Sequence, residues 1–134
     1  MTIRKAGKTD QPALGRIAEE AGLFPAEMLP DFMAPALSGN GELWLLSEED
    51  HATVGFAFAR PEEVADRVWN ILALGVSENA RGKGHACRLV AEMEQQLDAR
   101  MIVIETTQLD DQAPARRLYA RIGYQEEGRV RDFY

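Results

Sequence analysis

The sequence predicts an α/β domain built on a mixed, mainly antiparallel sheet flanked by helices, and three observations carry that prediction. Apolar runs between Leu43 and Val76 read as an antiparallel meander, Asn70 to Thr107 reads as a β-α-β unit, and helical stripes lie on both sides of this region. At 134 residues, 1–134 fits one compact domain, large enough for a real core and too small for two.

The elements follow in order. Ile3 sits in a short opening strand, and Thr9 or Asp10 followed by Pro12 reads as an N-cap with proline in the first helical turn. Leu14, Ile17, Ala18 and Ala21 recur at helical spacing until Gly22. A second helix is predicted over Ala26 to Leu37, interrupted or kinked near Pro30 and Pro35. Leu43 to Leu46 and Thr53 to Ala59, separated by the polar Glu48, Glu49 and Asp50, read as a hairpin, with Val68 to Val76 as the third strand of the meander.

Past a glycine turn, Ala86, Leu89, Val90, Met93 and Leu97 form one apolar helical stripe. Met101 to Ile104 is a continuous apolar run, as expected of a strand buried on both faces that follows a crossover helix. Asp110 to Pro114 makes a loop and helix start, Ala115, Leu118, Tyr119 and Ile122 give another stripe, and Gly123 is placed to cap it. Gln125 to Phe133 has the pattern of one more strand.

Composition narrows the function classes. Hydrophobic residues make up 46% and charged residues 28%, ordinary for a globular protein, while the net charge of −7 argues against nucleic acid as the principal partner. No apolar run approaches the roughly 20 residues that cross a bilayer, and Met1 to Asp10 lacks a signal-peptide core, so no membrane partner and a cytoplasmic location are expected. The lone Cys87 has no internal disulfide partner, and with His51 and His85 at no ligand-like spacing no metal is expected.

The chemistry concentrates in Arg81, Gly82, Lys83, Gly84, His85 and Ala86, between a strand pattern and a helix pattern. A strand that turns through glycines into a helix leaves backbone N–H groups unpaired and aimed one way, which makes an anion site with a phosphate as the expected ligand. Arg81 and Lys83 add positive charge beside it. A dinucleotide-binding reading fails because position 87 is cysteine where a third glycine or alanine is needed; an NTPase loop fails because Gly82-Lys83 is followed by glycine and not by serine or threonine, and the Gly-Lys-Thr at Gly7 to Thr9 has Thr2 where the loop's first glycine would stand.

Arg81, Gly84 and Ala86 match the pattern of Arg or Gln, two residues, Gly, one residue, Gly or Ala. Ala115, Leu118, Tyr119, Gly123 and Tyr124 resemble A-x-x-L-Y-x-x-x-G-F, with Tyr124 in the phenylalanine position, and Asn70 to Val76 resembles a central strand. In these motifs, their order and their separation, the chain resembles the GCN5-related N-acetyltransferases (GNAT) over nearly its whole length.

The resemblance implies a GNAT-like fold in which the strand ending at Val76 and the parallel strand Met101 to Thr107 splay apart to admit the pantetheine arm of acetyl-CoA. It implies a coenzyme site formed by Leu74, Val76, Arg81, Gly82, Lys83, Gly84, His85, Ala86, Cys87 and Gln112, the first two through main-chain groups. The Cys87 side chain is read as a small buried hydrophobe rather than a reacting thiol, and His85 as a helix-start residue near the diphosphate rather than a catalyst.

It implies direct acetyl transfer to a primary amine of a small molecule or a peptide or protein N-terminus, with Tyr119 protonating the departing thiolate. Tyr119 also fits a core residue on its stripe. Glu105 interrupts an apolar strand and is read either as the general base or as the partner of an arginine at the strand end. It stands two residues further from the tyrosine helix than the glutamate of family members that modify protein N-termini. The first two helices would flank the acceptor. The rival readings are a non-catalytic acyl-CoA-binding sensor or assembly module, and an enzyme for a bulkier acyl donor. The family's usual last strand has no counterpart before Tyr134, so the expectation is either a shortened chain or a homodimer whose second copy covers the edge.

Overall fold

The computed structural model describes residues 1–39, 41–104, 113–121 and 123–124. In chain order these form β1 (Thr2–Lys5), α1 (Gln11–Glu20), α2 (Leu29–Leu37), β2 (Leu43–Glu49), β3 (Ala52–Pro61), β4 (Val68–Val76), α3 (His85–Gln96), β5 (Met101–Ile104) and α4 (Ala113–Arg121). The strands make one sheet in sequential order, antiparallel from β1 to β4 and parallel between β4 and β5. The meander and the crossover unit are both present as expected.

Strand alternation builds three layers. On β2 and β3, Trp44, Leu46, Phe56 and Phe58 face a cluster with Leu14, Ile17 and Ala18 of α1 and Leu29 and Met33 of α2. The residues between them, Leu43, Leu45, Ala57 and Ala59, face Leu89, Val90 and Met93 of α3. Trp44 stacks on Phe58 and Phe56 with ring centroids 4.2 and 5.7 Å apart.

Two register shifts adjust this pattern. Phe58 pairs with Ala73 but Ala59 with Ile71, which leaves Leu72 as an extra residue in β4. Ile71 and Ala73 consequently face opposite clusters although they are two residues apart, and the Leu72 side chain is 44% exposed. Val54 is the extra residue in β3, and its carbonyl accepts a 2.7 Å hydrogen bond from Ser77 N–H just past β4.

One local expectation holds and two are corrected. The helix expected over Ala26 to Leu37 is interrupted near Pro30 as anticipated: a single 3-10 turn, Ala26–Met28, leads into α2, because Pro30 fits the first turn of a helix and not its interior. Pro35 lies inside α2 near its end without interrupting it, where it forfeits one hydrogen bond. Glu48 and Glu49 belong to β2 and do not form the turn: the chain reverses at Asp50 and His51, with φ of 52° and 66°, the two-residue geometry that suits hairpin twist. The predicted strand Gln125 to Phe133 lies outside the described residues.

The chain ends of two helices are tied down. Asp10 accepts from Gly7 N–H at 2.7 Å and from two Arg4 guanidinium nitrogens at 2.9 and 3.0 Å, joining β1 to the start of α1. After α4, Tyr124 N–H bonds to Tyr119 C=O and Gly123 N–H to Ala120 C=O, with Gly123 at φ 101°, the pairing of a Schellman cap.

Candidate active site

A 3-10 turn, Glu78–Ala80, and the exposed segment Arg81–Gly84 connect β4 to α3. Gly82 and Gly84 have φ of 79° and 89°, and a Cβ on either would meet nothing within 4 Å. Glycine is needed here for the backbone conformation, and the space above the turn is open. Ala80 and Arg81 N–H bond back to Ser77 and Glu78 carbonyls, and Arg88 N–H is the next bonded amide, to Gly84 C=O at 3.1 Å. The six amides from Gly82 to Cys87 have no partner among the described residues. They form a run of donors at the positive end of a 12-residue helix.

The cations beside them are tethered. Arg81 Nε donates to Val76 C=O at 3.3 Å, and Lys83 Nζ lies 3.2 Å from Glu49 Oε1. The His85 side chain points the other way, into the interior. It is 1% exposed, with Nε2 at 2.8 Å from Glu49 Oε2 and Nδ1 at 2.6 Å from Ser47 Oγ. An ionised carboxylate only accepts, so Nε2 carries a proton, and in the neutral ring Nδ1 accepts from the Ser47 hydroxyl. His85 first, and Lys83 second, hold the Glu49 carboxyl below the usual carboxylate range.

Serine, histidine and glutamate in line suggest a nucleophile, but Ser47 is fully buried within β2, closed off from solvent. The other residues expected at a coenzyme site divide by setting. Ala86 and Cys87 are half-buried in the first turn of α3, and Leu74 and Val76 are half-buried in β4, with Leu74 against the α3-side cluster. Pairing of β4 with β5 runs from Val68 and Met101 to Ile71 and Ile104, so Leu72 to Val76 has β3 on one side and no described strand on the other.

Tyr119 is half-buried on α4, and burial pushes its phenol up, keeping it protonated at neutral pH. Tyr124 packs against the α3-side cluster, and burial, with Glu94 adding to it, pushes its phenol up to about 12. Glu105 and Gln112 lie outside the described residues.

Two concavities lie elsewhere, at the start of β2. One of about 370 Å³ is lined by Trp69, Leu43, Leu97 and Gln96 among others, and one of about 100 Å³ by Trp44, Met33 and Leu37 among others. Trp69 and Val76 are at opposite ends of β4, roughly 23 Å apart at strand rise, so neither concavity adjoins the glycine turn. Asn70, at the same end of β4 as Trp69, donates to Glu62 at 2.7 Å.

Ser47 and Glu49 are the participants that the sequence reading passed over. Both share the α3-facing register of Leu43 and Leu45, and a polar residue continuing a buried apolar face needs a partner. That was the available signal, obscured because Glu49 looked like part of a polar turn.

A three-layer domain with a mixed sheet and a donor-lined turn after its fourth strand is the class that fold and site define. The family model for the GNAT acetyltransferases matches residues 12–124, and the chain belongs to that family. Solved structures agree in fold. A GNAT-family protein from Desulfovibrio desulfuricans superposes with a TM-score of 0.88 at 23% identity, covering 99% of this chain and 90% of that one. The aminoglycoside acetyltransferase AAC(6')-Iy, in complex with the bisubstrate analogue CoA-S-monomethyl-acetylneamine, gives 0.79 at 18% identity, with 96% and 93% covered. A ribosomal-protein-alanine N-acetyltransferase from Brucella melitensis gives 0.77 at 24%, with 96% and 86% covered. No curated protein sequence matches the chain.

Proposed function

We propose that this chain binds acetyl-CoA on the glycine turn and transfers its acetyl group to a primary amine, of a small molecule or of a peptide or protein N-terminus, by direct attack. The observation that carries this reading is the run of unpaired amides from Gly82 to Cys87 under open space, a donor set that suits a diphosphate. Ala86 and Cys87 contribute main-chain donors, and Arg81 and Lys83 stand close enough in sequence to exchange their present partners for phosphate oxygens. The main chain of Leu74 and Val76, on the stretch of β4 that has no described strand on the side away from β3, would hold the pantetheine arm, and Gln112 would add a coenzyme contact.

The bound thioester supplies an activated acetyl group. A C–N bond forms as the C–S bond breaks, a main-chain N–H near Val76 polarises the carbonyl, Tyr119 gives its proton to the departing thiolate, and Glu105 takes the proton lost by the amine. Most of the rate enhancement would come from positioning.

Titration calorimetry with coenzyme A and acetyl-CoA, followed by thiol release across a panel of amines and peptides, tests the proposal. Saturable binding with turnover of at least one amine is the expected result. Binding with no turnover replaces it with a non-catalytic acyl-CoA sensor, and no heat with either ligand at millimolar concentration removes the coenzyme site altogether.

A further inference from the structure

We propose that His85 is a positioning residue, whose buried ring, gripped by Ser47 and Glu49 of β2, holds the glycine turn and the first turn of α3 in the arrangement that presents amides 82–87 to a diphosphate. The inference rests on the coenzyme reading above and assigns to that site a support that lies beneath it.

His85 is the first residue of α3 and follows the left-handed Gly84, so fixing its ring fixes the donors on either side of it. Both ring nitrogens are engaged at 2.6 and 2.8 Å, and both partners come from one strand, two residues apart on the face toward α3. Glu49 grips the turn twice, through His85 and through Lys83, on either side of Gly84.

A turn with two glycines in positive φ has unusual backbone freedom, and ordering it only when ligand arrives would weaken binding. An anchor made from the sheet places that ordering in the folding step. Glu49 is also the wrong sign for a group beside a diphosphate. Its presence makes sense as an acceptor for His85 and for Lys83, whose positive charge offsets its own, and not as a ligand contact.

Glu49→Ala and Glu49→Gln remove the same charge, but only the glutamine keeps an oxygen that can accept from His85 Nε2–H. Calorimetric titration of the whole chain with coenzyme A should show affinity falling at least tenfold in Glu49→Ala and staying within threefold of the parent in Glu49→Gln. Amide ¹⁵N relaxation without ligand should give order parameters near 0.85 for residues 82–87 in the parent and in Glu49→Gln, and below about 0.6 in Glu49→Ala. Equal weakening of both variants, tighter binding by both, or unchanged order parameters in Glu49→Ala overturns the proposal. If the parent itself fails to bind coenzyme A, the coenzyme reading falls, and the relaxation comparison decides the anchoring separately.

Discussion

Tyr119 and Asp10 show how one neighbourhood sets one group's chemistry. Burial keeps the Tyr119 phenol protonated, which suits a proton donor, yet a raised pKa also makes it a weaker acid toward a thiolate. Under the proposed mechanism Tyr119→Phe should lower kcat for thiol release about 100-fold, the lower range for a general acid, while KM for acetyl-CoA stays within twofold. An unchanged kcat would transfer the protonation to solvent. At Asp10, the hydrogen bonds from Arg4, with Gly7 adding to them, hold the carboxyl below its usual range. A depressed carboxyl contributes stability that is fully present above its ordinary value of about 3.9 and is lost as pH falls through the lower folded value. Asp10→Ala should therefore cost about 1–2 kcal/mol at pH 7 in urea denaturation. The difference from the parent should shrink below pH 4, and an equal difference at pH 7 and pH 3 would contradict the assignment.

At the scale of elements, periodicity was a good guide wherever a segment has one buried face. The stripes Leu89, Val90 and Met93 of α3 and Leu14, Ile17 and Ala18 of α1 are as expected, because a repeat of 3.6 leaves little choice about which side turns inward. Element ends were less legible. The extension of β2 through Glu49 depends on the partner strand and on a two-residue turn at Asp50 and His51, neither of which has a glycine to announce it. The extra residue at Leu72 is equally invisible, since its neighbours Ile71, Ala73 and Leu74 include no glycine or polar residue. Gly15 supplies a prediction of this kind: inside α1 it looks like a helix-weakening residue, but its missing Cβ would stand 2.8 Å from Ala26 Cβ. Replacing it with alanine should lower stability by about 1–3 kcal/mol despite the better helix propensity. A thermal midpoint above the parent's would show that α1 and the 3-10 turn separate freely.

Across the whole molecule, the sheet divides the apolar interior into two cores, and the glycine turn is mounted where β4 meets the α3 layer. Phe56 is fully buried at the centre of the α1 and α2 side, touching Trp44 and Phe24. Phe56→Ala should cost about 3–5 kcal/mol, a large share of the roughly 5–15 kcal/mol of a typical domain. Its denaturation midpoint should fall accordingly, and a loss below 1 kcal/mol would mean that the two layers repack around the gap. The glycine-turn motif was legible because its residues are consecutive and their chemistry is local. Its support was not, since Ser47 and Glu49 lie 38 and 36 residues from His85 in the chain.

Reading residues in order was enough to reach the α/β class, the crossover unit and the donor-bearing turn, because each follows from short-range spacing and backbone stereochemistry, and two motifs of consecutive or near residues were enough for the GNAT resemblance. Folding in three dimensions settled the bulge at Leu72, the inward turn of the His85 ring and the pairing of Lys83 with Glu49. Those depend on which strand neighbours which helix, and on buried polar groups finding acceptors, and neither is encoded within a window of a few residues.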